Sequence, residues 1–229
     1  MIAATITAIG QATPTVKVFT FKTEEPFRFL PGQWLDCYVD IDGHREVGGY
    51  SMTSSPLADH VELAIKYSES NPVTRYLHGQ ASVGNRLYLD GGYGECCYEP
   101  GMAGSLVLIA GGIGLTPLMS IIRYATGATP DVTVTLLYAA TSSEEHLFRD
   151  ELEGIAARNP RFRCEFFVTR GVSDGTLRVG HIDQDALQAV VHQGAVYFVC
   201  GPGPMIDSTV DLLTRMGVQP ERICFERWW

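Results

Sequence analysis

Residues 106–119 read Leu-Val-Leu-Ile-Ala-Gly-Gly-Ile-Gly-Leu-Thr-Pro-Leu-Met, an apolar run that breaks into glycines and resumes with residues suited to a helix. An apolar run without alternation suits a strand buried on both faces, and Thr116 with Pro117 suits the entry turn of a helix. Gly111, Gly112 and Gly114 let the backbone turn tightly and approach a pyrophosphate. The helix start behind them offers unpaired N–H groups and the positive end of a dipole. The spacing predicts a nucleotide site. The ordinary alternative is a turn that only packs a helix tightly on its sheet, so the flanking sequence has to decide.

Upstream, short β-type runs recur between turn residues: 1–9, 16–21, 33–39, 61–67 and 86–89, with a short helix expected over 72–78, where Pro72 fits the first turn. Regular short strands with Gly, Pro and Asn breaks predict an antiparallel β-barrel. Downstream of Glu99-Pro100-Gly101, apolar strands begin near Leu106, Val132, Phe162, Val196 and Ile223, with helical segments between most of them. That is the βαβ pattern of a five-stranded parallel sheet. The clearest amphipathic helix is expected over 144–157, with Leu147, Phe148, Leu152 and Ile155 on one face. Two domains are therefore expected, a barrel over 1–100 and an α/β domain over 101–229.

A net charge of −9 argues against nucleic acid or anionic membrane as a partner, since both are recognised by clustered Lys and Arg. The six cysteines form no Cys-x-x-Cys pair, so no metal or iron–sulfur site is expected. No signal or transit pattern opens the chain, and glycines and a proline interrupt its longest apolar stretch. The expectation is a soluble, cytoplasmic protein with reduced thiols.

Three further stretches carry possible chemistry. Tyr50 stands among Gly49, Ser51, Met52 and Thr53, which reads by itself as an ordinary strand ending in the Ser55-Pro56 turn, or as a place where an aromatic ring lies along a flat cofactor while hydroxyl groups meet polar edges. Asn71-Pro72-Val73-Thr74-Arg75 reads as a turn into a helix N-terminus, a second place for an anion, or simply a solvated capping turn. Residues 196–205 run from an apolar strand through Cys200-Gly201-Pro202 to Met205, and should open on the same edge as the glycine turn. The terminal Trp228 and Trp229 call for a flat or apolar cover, whether core, subunit or aromatic cofactor.

In order along the chain, Tyr50-Ser51-x-Thr53-Ser54, Thr74, Gly111-Gly112-Ile113-Gly114-x-Thr116-Pro117, Cys200-Gly201-Pro202-x-x-Met205 and Phe225-Glu226-x-Trp228 resemble the ferredoxin-NADP reductase superfamily. Val47-Gly48-Gly49-Tyr50-Ser51 and the ending Cys224 to Trp229 are most similar to its oxidoreductase NAD-binding domain-containing branch. The resemblance spans essentially the whole chain. It implies FAD on the barrel, held by Tyr50, Ser51, Met52, Thr53, Lys66, Thr74 and Arg75. It implies NADH or NADPH across Gly111, Gly112, Gly114, Thr116, Pro117, Gly201, Pro202 and Met205, with Thr169 and Arg170 near the adenosine ribose. Ser51, Cys200, Glu226 and Trp228 correspond to the groups around the reacting rings, Trp228 to an aromatic that covers the flavin.

The activity implied is hydride transfer from NAD(P)H to FAD, then electron transfer to a separate acceptor: a ferredoxin, an oxygenase component or a small molecule. Most of the family carries an arginine for the FAD pyrophosphate where this chain has Gly48. Without a substitute among Lys66, Arg75 and Arg45, binding would weaken by roughly ten- to a hundred-fold. Two alternatives follow from that position: reduction of free flavin, and a non-catalytic nucleotide-binding module.

Overall fold

A computed structural model describes residues 1–171 and 175–227. The first half forms six strands: β1 (Ile2–Thr13), β2 (Val16–Thr23), β3 (Trp34–Ile41), β4 (His44–Ser51), β5 (Val61–Lys66) and β6 (Arg86–Tyr93). They lie in the order β4-β3-β6-β1-β2-β5, with every neighbouring pair antiparallel. The sheet then closes on itself. Just past β4, Met52 bridges to Leu63, and the Thr53 N–H donates to the Glu62 carbonyl at 2.9 Å. Closure gives β4 and β5 partners along their open edges and confirms the expected antiparallel barrel.

Alternate residues turn inward, so Phe19 and Phe21, Leu35 and Cys37, and Leu63 and Ile65 fill the barrel with no solvent exposure. β3 and β4 meet through Asp42 and Gly43, both at positive φ, the handedness that a two-residue hairpin turn needs. β6 runs four residues beyond the expected Leu89 because Gly91 sits against Leu35, where a Cβ would fall 2.4 Å from the Leu35 Cβ. The short helix appears as expected, as α1 (Pro72–Gly79).

The second half is a parallel sheet with helices on both faces: β7 (Ser105–Gly111), α2 (Leu115–Ala128), β8 (Thr133–Ala140), α3 (Arg149–Arg158), β9 (Phe162–Val168), β10 (Arg178–Val179), α4 (Gln184–Gln188), β11 (Val196–Cys200), α5 (Gly203–Arg215) and β12 (Ile223–Phe225). The order is β10-β9-β8-β7-β11-β12. Six strands are present where five were expected: β10 is two residues long, too short to leave a periodic signal, and pairs with Phe167 and Val168. Leu106, Leu108 and Ala110 face one layer and Val107 and Ile109 the other, which is why β7 reads as an unbroken apolar run.

The helix expected over 144–157 is corrected to Arg149–Arg158, preceded by a single 3-10 turn at Ser143–Glu145. Tertiary bonds explain the break. Glu145 accepts from the Thr13 and Thr15 hydroxyls at 3.0 and 2.8 Å, His146 is buried, and Phe148 takes a left-handed φ of 56°. Among the described residues no helix is long and apolar enough to cross a membrane.

Candidate dinucleotide and flavin cleft

The chain leaves β7 for β8 on one side, while β11 flanks β7 on the other, so a crevice opens beyond the carboxyl ends of β7 and β11. The barrel covers that opening. The result is a cleft of about 930 Å³ with Gly48 to Ser51, Lys66 and Asn71 on the barrel side. Gly111 to Gly114, Thr116, Cys200 to Pro202 and Met205 line the other side, and Thr141, Thr169, His181 and Ile182 extend it.

The three glycines of the turn have separate causes. A Cβ on Gly114 would lie 2.3 Å from the Cys200 carbonyl oxygen, and one on Gly111 would lie 2.4 Å from the Met205 sulfur. Close packing of the turn against β11 and α5 demands both. Gly112 has φ +55° and open space where its Cβ would be, so its position serves the backbone shape of the cleft wall. The turn is pinned by polar bonds: Thr116 Oγ1 donates to the Ile113 carbonyl at 2.9 Å, and Tyr138 Oη donates to the Gly112 carbonyl at 3.2 Å.

On the barrel wall, Tyr50 leans over Gly48. A Cβ at Gly48 would fall 2.5 Å from Tyr50 Oη, so the ring fills the room that a side chain at 48 would take. Tyr50 Oη is buried without a hydrogen-bond partner among the described residues. Burial, then the neighbouring Cys37, holds its proton on well above the usual phenol range. A buried hydroxyl donor left unpaired beside a cleft suits a ligand that brings an acceptor.

Of the expected cations, only Lys66 reaches this lining. Arg75 is exposed outside it, and Arg45 pairs with Asp40 at 3.2 Å with its guanidinium over Tyr88. No carboxylate lines this cleft among the described residues, while Glu145 lines an adjoining pocket that shares Lys66, Gly112 and Thr141 with it. Asn71 caps α1 by accepting the Thr74 N–H at 3.1 Å, while Thr74 Oγ1 donates back to the Ser68 carbonyl at 2.8 Å. Thr74 is thus buried in the cap, with Asn71 on the lining in its place.

Other expected residues also lie outside the lining. Met52 and Thr53 are fully buried in the barrel, Pro117 is buried in α2, and Arg170 is exposed with its N–H on the Thr141 carbonyl at 2.9 Å. Glu226 is half-buried behind the cleft, where it accepts the Cys96 N–H at 3.5 Å. Burial raises its pKa, helped by Glu95 and opposed by backbone N–H donors at Cys96 and Glu95. Cys200 is buried at the end of β11, where burial and then Glu226 push its thiol up to about 12, leaving it neutral at ordinary pH. Trp228 lies outside the described residues.

Sequence reasoning missed Tyr138, His181 and Ile182, and took Asn71 only as the start of the turn into α1. Asn71 was visible as a cap. His181 follows a two-residue strand and carries no periodic signal.

The chain matches two family models, "Oxidoreductase FAD-binding domain" over residues 3–98 and "Oxidoreductase NAD-binding domain" over 108–211. It is 33% identical to "Oxidoreductase NAD-binding domain-containing protein 1" of Danio rerio over 100% of this chain and 92% of that protein. It is 29% identical to a "Glycine betaine monooxygenase reductase subunit" of Chromohalobacter salexigens over 90% of this chain and 58% of that protein. The fold matches a ferredoxin NADP+ reductase from Neisseria gonorrhoeae solved with bound FAD and NADP, with TM-score 0.84 and 20% identity over 98% and 97% of the two chains. The orphan Tyr50 hydroxyl, the open Gly112 turn and the acid-free lining fit a flavin on one wall and a nicotinamide nucleotide on the other. The chain belongs to the oxidoreductase NAD-binding domain-containing family of the ferredoxin-NADP reductase superfamily, flavin-dependent oxidoreductases whose cofactors are FAD and NAD(P)H.

Proposed function

We propose that this chain is a reductase component: it takes hydride from NAD(P)H onto FAD and passes the electrons to a separate acceptor. The observation that carries this reading is the single cleft with Tyr50 and Ser51 on one wall and the 111–114 turn on the other. When bound, FAD supplies the redox chemistry, accepting two electrons and releasing them singly or in pairs.

The protein's own task is placement. Tyr50 offers its ring face and its unpaired hydroxyl, Ser51 a hydroxyl at the reacting edge, and Lys66 with the capped N-terminus of α1 a seat for phosphate. The backbone at Gly112 and the start of α2 seat the nucleotide pyrophosphate, while Thr169 meets the ribose. Cys200, held neutral, packs beside the nicotinamide without competing as a nucleophile. Glu226, its pKa raised by burial, supplies a polar group on the Cys200 side of the cleft. Residues 1–100 and 101–229 act as the flavin and nucleotide units. The named reductase subunit among the relatives supports an oxygenase component or a similar carrier as the acceptor.

Lys66, the one cation on the barrel side of the cleft among the described residues, favours a second reading in which flavin is a dissociable substrate. Gel-filtered protein given NADH or NADPH and an artificial one-electron acceptor separates the two. Turnover without added FAD is expected. Turnover only with added flavin selects the second reading, and no turnover under either condition contradicts both.

A further inference from the structure

Helix α2 starts at the glycine turn and carries Arg123 two turns further on, away from the cleft. At 1.5 Å per residue, the eight residues from Leu115 put Arg123 about 12 Å from the turn, beyond contact with anything seated there. Yet Arg123, most of its side chain shielded, makes four hydrogen bonds and a ring contact. Its Nη1 donates to Glu62 on β5 at 2.6 Å and to the Thr53 carbonyl at 2.9 Å. Its Nε and Nη2 form a two-point pair with Glu151 of α3 at 2.8 and 2.7 Å, and its guanidinium lies over the Phe148 ring at 4.8 Å. Thr53 also donates its own hydroxyl to Glu62 at 2.6 Å, and one turn back on α2 the Ser120 hydroxyl donates to the Ser54 carbonyl at 2.7 Å.

The partners matter because of where they sit. Thr53 and Ser54 lie one residue beyond Tyr50 and Ser51, across Met52, and Glu62 is the residue whose carbonyl closes the barrel onto Thr53. One end of α2 therefore shapes the nucleotide wall, and the same rigid helix is bonded to the strand end that shapes the flavin wall. Arg123 and Glu62 are both shielded, with side chains 18% and 15% exposed, so salt screens the pair little. Burial alone would lower the Arg123 pKa, but the bonds to Glu151 and Glu62 hold it above its ordinary value. Arginine's planar fork supplies three directions of bonding at once, which a lysine ammonium cannot reproduce in this geometry.

Resting on the flavin-and-nicotinamide reading above, we propose that Arg123 is a positioning residue: it clamps the barrel to α2 and so sets the separation of the two reacting rings. An ångström of misplacement between reacting groups costs rate far more than affinity. Arg123 touches neither ligand, so its loss should leave nucleotide binding alone.

The test compares wild type, Arg123→Lys and Glu62→Gln, loaded with FAD, by rapid mixing with NADH and with NADPH over a range of concentrations. The expected result is a limiting rate of flavin reduction lowered roughly ten- to a hundred-fold in both variants. Nucleotide dissociation constants should stay within about two-fold of wild type and bound flavin should be retained. X-ray scattering of the flavin-free proteins supplies a readout independent of activity, with a larger radius of gyration expected for both variants than for wild type. An unchanged limiting rate in either variant that folds overturns the clamp, as does a rate loss matched by an equal loss of nucleotide affinity or by an unchanged radius of gyration. If wild type itself shows no flavin reduction, the functional reading fails and takes this proposal with it. Reduction in wild type with unaltered variants removes the clamp alone.

Discussion

Gly111, Gly112 and Gly114 look alike in the sequence, but space and φ separate them. Gly114→Ala drives a Cβ into the Cys200 carbonyl, a backbone atom that cannot swing aside, and should cost about 3 kcal/mol of unfolding free energy in a urea titration. Gly112→Ala meets no atom and should cost only the left-handed strain of about 1–2 kcal/mol, while weakening nucleotide binding by reshaping the cleft wall. Equal stability losses in the two variants would contradict this division. The glycine turn, Tyr50, Ser51 and Cys200 were recoverable from sequence because each is tied to a local backbone event at the end of a strand. Gly48 was noticed only as a missing arginine. That Tyr50 fills the space above it is a long-range packing fact with no local signature.

At the scale of elements, hydrophobic period carried most of the information. β7 and β11, buried on both faces, and α1, with its Asn-Pro start, are found where the pattern puts them. The failures have physical causes. α3 starts late because Glu145 is drawn across to Thr13 and Thr15, a contact spanning more than a hundred residues. The cap of α1 offers a clean test, since Asn71 Oδ1 accepts the Thr74 N–H and also lines the cleft. Asn71→Ala should lower stability by about 1 kcal/mol and weaken flavin retention measurably on gel filtration. Retained flavin with the same stability loss would mean that the α1 N-terminus takes no part in holding it.

Across the whole molecule, buried titratable groups set the response to pH. His146 is buried, with its Nε2 on the Phe167 carbonyl at 3.1 Å and its Nδ1 without a partner among the described residues. Burial lowers its pKa below the ordinary 6.5, more than the carbonyl bonds raise it, and His78 is lowered for the same first reason. A histidine kept neutral by folding binds its proton more readily in the unfolded chain. Stability is therefore full above 6.5, falls as pH drops through 6.5 towards the folded value, and levels off below it. The urea midpoint should fall between about pH 7.5 and 5.5, and His146→Gln should flatten part of that slope. Glu226 runs the other way: folding raises its pKa, so its charge opposes the fold above the ordinary carboxyl range. Glu226→Gln should raise the melting temperature at neutral pH, lose that advantage below about pH 4 and turn over more slowly.

These residues and elements converge on one cleft, in which the 111–114 turn and the Tyr50 wall face each other, and the proposed function is hydride transfer across it between a nicotinamide and a flavin. The visible absorption spectrum of the purified, FAD-loaded protein, recorded anaerobically before and after NADH and then NADPH, tests that claim most directly. The account predicts a flavin band that survives gel filtration and bleaches on addition of at least one of the two nucleotides. Protein that stays colourless after incubation with FAD, or a flavin band that neither nucleotide bleaches, would contradict it.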